Sequence, residues 1–322
     1  MIHTEQLTRH FVSKKETIEA VRGVDIDVAA GELVAFLGPN GAGKSTTLRM
    51  LTTLLPPSSG RGIVAGASIT EQPAVVRSRI GYIGQGDGAG HSFRVQDELI
   101  SQGRFYGMNS SDALSQATDL MRTLDLTGME TRRVSTLSGG QRRRLDIALG
   151  LMHSPPLLFL DEPSTGMDPQ NRANLWEHIA RIRSERETTI VLTTHYLEEA
   201  DTQAERVLVI DHGVIIADDT ATNLKARLAG DQILVTVDPA DLERARSMMA
   251  DRGRELETQP KSWGIVISGR FDQGTRTLPG LLRELDASGI DVRAAEVKVP
   301  TLDDVFLSLT GRSLRENSEV AA

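Results

Sequence analysis

The chain has 322 residues, enough for two hydrophobic cores, since single domains seldom grow beyond about 250–300 residues. Hydrophobic and charged contents of 39% and 25% are those of a globular protein, and no apolar run approaches the roughly 18 residues that span a bilayer. A net charge of −8 argues against non-specific nucleic-acid binding, and the lack of cysteine excludes disulfides and thiolate metal sites. The start of the chain lacks the basic-then-apolar arrangement of a secretory signal, so we expect it to stay in the cytosol.

The first thirty residues predict short strands that form an antiparallel edge. Ile2 to Leu7 is one candidate, and Val24 to Val28 alternates apolar and polar residues before a turn. Phe11 is expected on a connecting segment. There its ring would stack on an adenine base or, equally well, fill a core position.

A phosphate-binding loop is predicted between a buried strand, Leu33–Leu37, and a helix from Ser45 to Leu55. The loop has two glycines separated by four residues and followed by Lys and Ser; it comprises Gly38, Pro39, Asn40, Gly41, Ala42, Gly43, Lys44, Ser45 and Thr46. Glycines let successive N–H groups approach phosphate oxygens, and the helix N-terminus adds partial positive charge. Lys44 would reach the outer phosphates and Ser45 the magnesium. A glycine-rich surface turn is the alternative.

A hinge and a helical subdomain at about residues 86–152 follow. Ile80 to Gln85 predicts a short strand that ends in a polar residue before a glycine-rich segment. Gln85 would lie at the hinge, although a surface loop amide fits equally well at this point. Residues Val95 to Asp125 have helical spacing.

A second helix N-terminus that could bind an anion is predicted at Leu137-Ser138-Gly139-Gly140-Gln141. Ser138 and Gln141 fit a capping box, and an amphipathic helix follows them. A plain capped helix is the alternative. The arginines at 142–144 are interpreted as a solvated helix face rather than a phosphate or nucleic-acid clamp.

Two carboxylates, Asp161 and Glu162, end the apolar run Leu157–Leu160. Carboxylates at the end of a buried strand are energetically unfavourable unless they bind a charged or hydrogen-bonding partner. In phosphate-loop NTPases, an Asp at this position holds magnesium. Because successive side chains alternate along an extended chain, Glu162 points to the face opposite that of Asp161. It is the candidate to orient or deprotonate the attacking water. A capping pair for the following segment is the alternative.

His195 follows a further β-branched strand, Thr188 to Thr193, and precedes a helix from Tyr196 to Ala204. A lone histidine is more often structural. Here, however, its strand end falls on the edge where sheets of this kind bind ligands.

A hairpin closes the first domain, predicted at residues 1–229. Beyond it the elements follow the order βαββαβ, which predicts a small α+β, ferredoxin-like domain at 230–311 with a regulatory or assembly role. A flexible tail is expected at 312–322.

From Met1 to about Ala229 the chain resembles the ATPase subunits of ABC transporters. The motifs typical of this family occur here in the same order: the phosphate loop, Gln85, the pentapeptide Leu137–Gln141, Asp161-Glu162, Asp168 and His195. The resemblance implies an α/β phosphate-loop NTPase with a mixed sheet, a RecA-like core, a helical subdomain and an antiparallel β edge. A narrower resemblance, to exporter ATPases of the daunorubicin-resistance type, rests on Thr194–Asp201 and Thr301–Gly311. The glycine-rich segment 84–91 departs from the usual pattern.

The resemblance also implies the chemistry of the site, which would use ATP and Mg²⁺. Glu162 would be the general base, with His195, Lys44 and Gln85 at the γ-phosphate and Ser45, Gln85 and Asp161 at the metal. Phe11 would stack on the adenine.

By the same resemblance, a second copy of the chain would complete the nucleotide site with Ser138, Gly139, Gly140 and Gln141, and Asp168 would link the two sites. A separately encoded membrane permease would export a drug, antibiotic or lipid-like molecule, and the chain would lie on the cytoplasmic side of the membrane as a peripheral protein. No nucleic-acid partner is expected. The alternatives are a soluble ABC-type ATPase that acts on nucleic acid or ribosomes and a non-hydrolysing binding module.

Overall fold

The computed structural model describes residues 1–12, 16–86 and 88–313, which form two compact units, one from Met1 to Asp218 and one from Asp219 onward. The sequence-based boundary, between residues 229 and 230, lies within the second unit, and the division into functional domains stays a prediction. Most of the predicted flexible tail, residues 314–322, lies outside the described residues.

The first unit alternates strands and helices after an N-terminal group of strands. Its elements are β1 (Ile2–Val12), β2 (Thr17–Val24), β3 (Asp27–Val28), β4 (Leu33–Leu37), α1 (Lys44–Leu51), β5 (Ser59–Val64), β6 (Ala67–Ser68), α2 (Pro73–Arg79), β7 (Ile80–Ile83), α3 (Val95–Phe105), α4 (Ser110–Thr123), α5 (Gly139–Leu151), β8 (Leu157–Asp161), α6 (Pro169–Arg186), β9 (Thr189–Thr194), α7 (Leu197–Gln203), β10 (Arg206–Asp211) and β11 (Val214–Asp219).

The central sheet has six strands in the order β11-β10-β4-β9-β8-β7. The neighbours from β10 to β7 are all parallel, and β11 follows β10 after a two-residue turn. Every residue of β4, β8 and β9 is buried, which explains their continuous apolar runs. Because parallel strands end at the same edge, the residues that follow β4, β8 and β9 are brought together there.

A second, five-stranded sheet holds the N-terminal strands in the order β2-β1-β5-β6, with β3 also paired to β1. The predicted antiparallel region is therefore present, but β1 is longer than predicted. Phe11 lies within β1 opposite Ile18, not on a connecting segment. The polar stretch Thr8–His10 hid this extension, because the strand is defined by its pairing with β2 rather than by apolar alternation.

Two helical regions differ from the prediction. The predicted helical stretch 95–125 is two helices, and Asn109 caps the second by accepting the backbone N–H of Asp112. The 18-residue α6 was not predicted, although Asp168 at its N-cap and Pro169 in its first turn are both helix-start signals. Its mostly polar composition masked the apolar spacing.

The second unit contains α8 (Ala221–Leu224), a π-helical turn (Lys225–Ala229), β12 (Asp231–Val237), α9 (Leu242–Ala250), β13 (Gly253–Lys261), β14 (Gly264–Phe271), α10 (Gly274–Ala287), β15 (Val292–Lys298) and α11 (Leu302–Thr310). From β12 to β15 the order of elements is the predicted βαββαβ. The four strands form an antiparallel sheet in the order β13-β14-β12-β15, over a core that includes Val235, Ile267 and Leu285. The ferredoxin-like classification stays a prediction.

No helix among the described residues is both long enough and apolar enough to cross a lipid bilayer.

Candidate functional site

The phosphate loop joins the end of β4 to the start of α1. Gly43 is the N-cap of α1 and has a φ of 105°. A Cβ at this position would stand 2.5 Å from the carbonyl oxygen of Ala20, so both the backbone angle and the space favour glycine. The loop therefore places backbone N–H groups and a helix N-terminus around one point, as an anion-binding cradle requires.

Lys44 is buried at the base of this cradle, with a side chain 4% exposed. Its ammonium donates to the carbonyl oxygens of Gly38, at 2.7 Å, and Pro39, at 3.0 Å, and lies 3.9 Å from Oε1 of Glu162. Burial lowers the pKa of Lys44, while the charges of Glu162 and Asp161 act to raise it. The hydrogen-bond acceptors of Lys44 are thus neutral carbonyl oxygens, which are weaker partners than a phosphate.

Asp161 ends β8 and is fully buried. Its Oδ1 accepts hydrogen bonds from the hydroxyls of Ser45, at 2.8 Å, and Thr193, at 2.6 Å. Its Oδ2 is buried and has no hydrogen-bond partner in the described part of the chain. The amide of Gln85 lies 3.4 Å from the Ser45 hydroxyl. The structure thus brings together the three residues predicted at the metal.

An unpartnered buried carboxylate oxygen beside a hydroxyl and an amide suits a hard cation such as Mg²⁺, which takes few protein ligands and completes its shell with water and phosphate. Within residues 1–12, 16–86 and 88–313, no group of three or more His, Cys, Asp or Glu side chains could hold a metal.

Glu162 follows Asp161 with a φ of 48°, and its N–H donates to the carbonyl and hydroxyl oxygens of Thr193, at 3.2 and 3.0 Å. Its carboxylate is 12% exposed; Oε2 accepts from the hydroxyl of Thr165, at 3.2 Å, and lies 3.4 Å from Nδ1 of His195. Nδ1 of His195 is buried and makes no hydrogen bond within the described part of the chain. His195 holds the pKa of Glu162 below its usual range, against the opposing effect of burial, so the carboxylate is ionised.

The pentapeptide Leu137–Gln141 forms the start of α5 as a capping box. The Ser138 hydroxyl accepts from the Gln141 N–H, at 3.3 Å, and the Gln141 side chain accepts from the Ser138 N–H, at 3.0 Å. Gly139 and Gly140 therefore occupy the first turn, and the predicted capped helix start is confirmed.

A cavity of about 490 Å³ lies beside this helix start. Its lining includes Ser138, Gly140, Gln85, Glu162 and Asp168, whereas Lys44 and Ser45 are not among the described residues that line it. Asp168 caps α6 by accepting the N–H of Asn171, at 2.9 Å, and this bond helps to hold the pKa of Asp168 below its usual range. Glu162 thus lies close to Lys44 of the phosphate loop and also lines the cavity beside the helix start.

The site's motifs match a known family. A family model described as ABC transporter matches residues 21–165. A daunorubicin/doxorubicin resistance ATP-binding protein of Streptomyces peucetius is 40% identical over 304 residues, which cover 93% of this chain and 90% of the relative. The chain belongs to the ATP-binding subunits of ABC transporters. A linearmycin resistance ATP-binding protein of Bacillus subtilis (strain 168) is 33% identical over 98% of this chain and 100% of its own.

The fold of this ABC ATPase is shared with solved cassettes. A dimeric ATP-binding cassette in a post-hydrolysis state, bound to ADP and phosphate, is 22% identical and aligns with a TM-score of 0.63 over 68% of this chain and 98% of its own. The predicted α/β phosphate-loop NTPase fold is confirmed. Family membership also confirms the predicted class of enzyme, an ATPase that binds ATP.

Arg143 of the ABC ATPase was wrongly assigned to a solvated helix face. It is half-buried, and its guanidinium donates to the carbonyl oxygens of Gly84, at 2.7 Å, Pro163, at 2.9 Å, and Asp161, at 3.4 Å. It therefore ties α5 to the backbone on either side of Glu162 and to the residue before Gln85. No sequence signal marks these acceptors, because backbone carbonyls are common to all residues.

Arg144 is also half-buried, and it donates to the side-chain oxygen of Asn174, at 2.9 Å. The sequence did contain a signal that Arg144 is partly buried. Arg144 stands one helical turn before Ala148 and therefore borders the apolar face of this amphipathic helix.

Phe11 is 40% exposed, and the guanidinium of Arg9 lies over its ring at 4.8 Å from the centroid. The exposed ring is compatible with stacking on a flat base. Its contact with adenine stays a prediction.

Proposed function

We propose that this chain hydrolyses ATP to drive an exporter of a drug, antibiotic or lipid-like molecule, through a separately encoded membrane permease. The observation that carries the proposal is the convergence of Lys44, Asp161, Glu162 and His195 at one edge of the sheet, with an ionised Glu162 and an unpartnered buried oxygen on Asp161. The relatives named for resistance to daunorubicin, doxorubicin and linearmycin support export of such a substrate.

The roles of the residues follow from their positions. Lys44 would exchange the carbonyl oxygens of Gly38 and Pro39 for the β- and γ-phosphates, gaining charged partners. Mg²⁺, held by Ser45, Asp161 and Gln85, would neutralise phosphate charge. Glu162 would accept the proton of the attacking water, and His195, in contact with Glu162, would orient that water and the γ-phosphate.

A second copy of the chain is proposed to complete the site. The 13-residue α5 begins with two glycines beside a cavity, so its first N–H groups can be approached by an anion. Gln141 would support this N-terminus through the capping box, and Asp168 would link the two sites across the dimer. The dimeric cassette bound to ADP and phosphate supports this arrangement.

The permease is proposed to dock beside the Gln85 hinge. Phe93 and Phe105 are 62% and 82% exposed and are available as apolar contacts for the permease. Phe93 lies next to the hinge, because a Cβ on Gly90 would stand 2.9 Å from its ring. Movement of Gln85 with the γ-phosphate would thus be transmitted to this surface, and the chain would be held at the cytoplasmic face of the membrane.

Co-expression with the proposed membrane subunit tests the proposal. We expect the chain to sediment with membranes only when that subunit is present. We expect Phe93→Ser to weaken this association, while the matched exposed change Leu114→Ser leaves it intact. Sedimentation with ribosomes or DNA, and none with membranes, would instead favour the soluble ATPase alternative.

A further inference from the structure

Glu199 is a buried carboxylate to which none of the roles above has been given. It lies on α7, is 3% exposed, and accepts hydrogen bonds from two hydroxyls, Ser164 at Oε1 and Thr194 at Oε2, the latter at 2.8 Å. The guanidinium Nε of Arg172 lies 3.9 Å from Oε1 and supplies a compensating charge. Buried carboxylates with charge and hydroxyl partners are held in a fixed position.

The two hydroxyl donors lie beside the two proposed catalytic groups, Ser164 in the loop after β8 and Thr194 at the end of β9. Ser164 stands two residues after Glu162, and Thr194 directly precedes His195. Ser164 and Glu199 are 35 positions apart in the chain, so their bond is a tertiary link between the segments that follow β8 and β9.

Arg172 extends the link to a third segment. Its Nη2 donates to the carbonyl of Met167, at 3.4 Å, and its guanidinium stacks over the ring of Tyr196 at 4.5 Å from the centroid. Met167 precedes Asp168. The single carboxylate of Glu199 is therefore connected to the segments that hold Glu162, His195 and Asp168.

The link matters because Glu162 occupies an unfavourable backbone position. A φ of 48° is uncommon for a residue other than glycine and persists only where the surroundings enforce it. Thr193 restrains the N–H of Glu162, and Glu199 restrains the chain two residues later. A small displacement of the Glu162 carboxylate would misplace the base relative to the attacking water, and catalysis is sensitive to such shifts.

We propose that Glu199 is a positioning residue for ATP hydrolysis: by bridging Ser164 and Thr194 it fixes the carboxylate of Glu162 relative to His195. This inference rests on the proposed function. It places the effect of Glu199 on the chemical step and not on nucleotide affinity, because the Lys44 cradle has no bond to the bridge among the described contacts.

The test uses the full-length chain with its membrane subunit, and compares Glu199→Leu, Glu199→Gln and the exposed neighbour Glu198→Gln. Leucine removes the bridge, and we expect kcat to fall at least tenfold while KM and ATP affinity stay within about threefold. Glutamine keeps an acceptor for one hydroxyl and can donate to the other, so it should restore most of kcat. Glu198→Gln should match the wild type.

A double-mutant cycle shows whether the effect passes through the bridge. Ser164→Ala alone should lower kcat with KM unchanged, whereas Ser164→Ala added to Glu199→Leu should lower it little further, because the bond is already absent. If Glu199→Leu does not fold, Thr194→Val and Ser164→Ala carry the same test from the donor side.

Wild-type kcat in Glu199→Leu, or a loss of ATP affinity equal to the loss of kcat, would overturn the positioning role. A glutamine variant as inactive as the leucine variant would overturn it too. Absence of ATP hydrolysis by the wild type with its membrane subunit would instead contradict the proposed function itself, so the two failures are distinguishable.

Discussion

Replacing Glu162 by glutamine removes the proposed proton acceptor and changes little else. The amide keeps the shape of the side chain and an oxygen that accepts from Thr165, while a general base contributes about 10²–10⁴-fold to rate. We therefore expect kcat to fall by this factor, which corresponds to about 3–5 kcal/mol in the activation barrier.

ATP binding should not weaken in Glu162→Gln, and the structure gives the reason. The Glu162 carboxylate lies 3.9 Å from the ammonium of Lys44, and at an effective dielectric constant of about 20 this separation corresponds to about 4 kcal/mol of attraction. Loss of that attraction frees Lys44 for phosphate, and loss of the negative charge removes repulsion of the nucleotide. Both changes favour binding.

Phosphate release at saturating ATP, measured with the membrane subunit present, and fluorescent-nucleotide binding test both expectations. Thr165→Val is the graded control: it removes one hydroxyl donor from Oε2 but leaves the carboxylate, so about a 2–10-fold loss of kcat is expected. Equal hydrolysis by the wild type and Glu162→Gln would refute the role of Glu162. A loss in Thr165→Val as large as that in Glu162→Gln would show that loop geometry, not proton acceptance, limits the reaction.

Three further changes probe other parts of the chain. Ser138→Arg should leave ATP binding at Lys44 nearly intact and abolish hydrolysis, as measured by parallel binding and phosphate-release assays; loss of binding would mean that one chain completes the site. Gly43→Ala should reduce the free energy of unfolding by about 1–3 kcal/mol, because alanine is strained at a φ of 105° and meets the Ala20 carbonyl, and an unchanged urea midpoint would contradict this. His178 is buried on α6, and this burial lowers its pKa below the ordinary value of 6.5. Its stabilising contribution is therefore present above pH 6.5 and is lost as the pH falls through the folded-state pKa. Urea unfolding between pH 7.5 and 5 should therefore show a smaller loss of stability for His178→Gln than for the wild type, and parallel curves would disprove the assignment.

The sequence by itself determined the buried parallel strands of the central sheet and the order of the motifs in the ATPase unit. Buried parallel strands such as Leu33–Leu37 and Leu157–Asp161 are continuous apolar runs, and the phosphate loop and the capping box are contiguous patterns. Since parallel strands end at one edge, the pattern alone also predicted that Asp161 and His195 approach the phosphate loop. The sequence is sufficient for these features because each depends on residues that are neighbours in the chain.

The tertiary structure alone decided the partners of polar groups that are distant in the chain. Arg143 meets the carbonyl of Gly84, 59 positions away, and Glu199 meets Ser164, 35 positions away. Phe11 became part of a strand because β2 pairs with it. Backbone carbonyls and hydroxyls occur throughout the sequence, so nothing in the local pattern shows which of them a buried charge will meet. Only the packing of the helices against the sheet selects them, by removing water and leaving each buried charge a few acceptors or donors within reach.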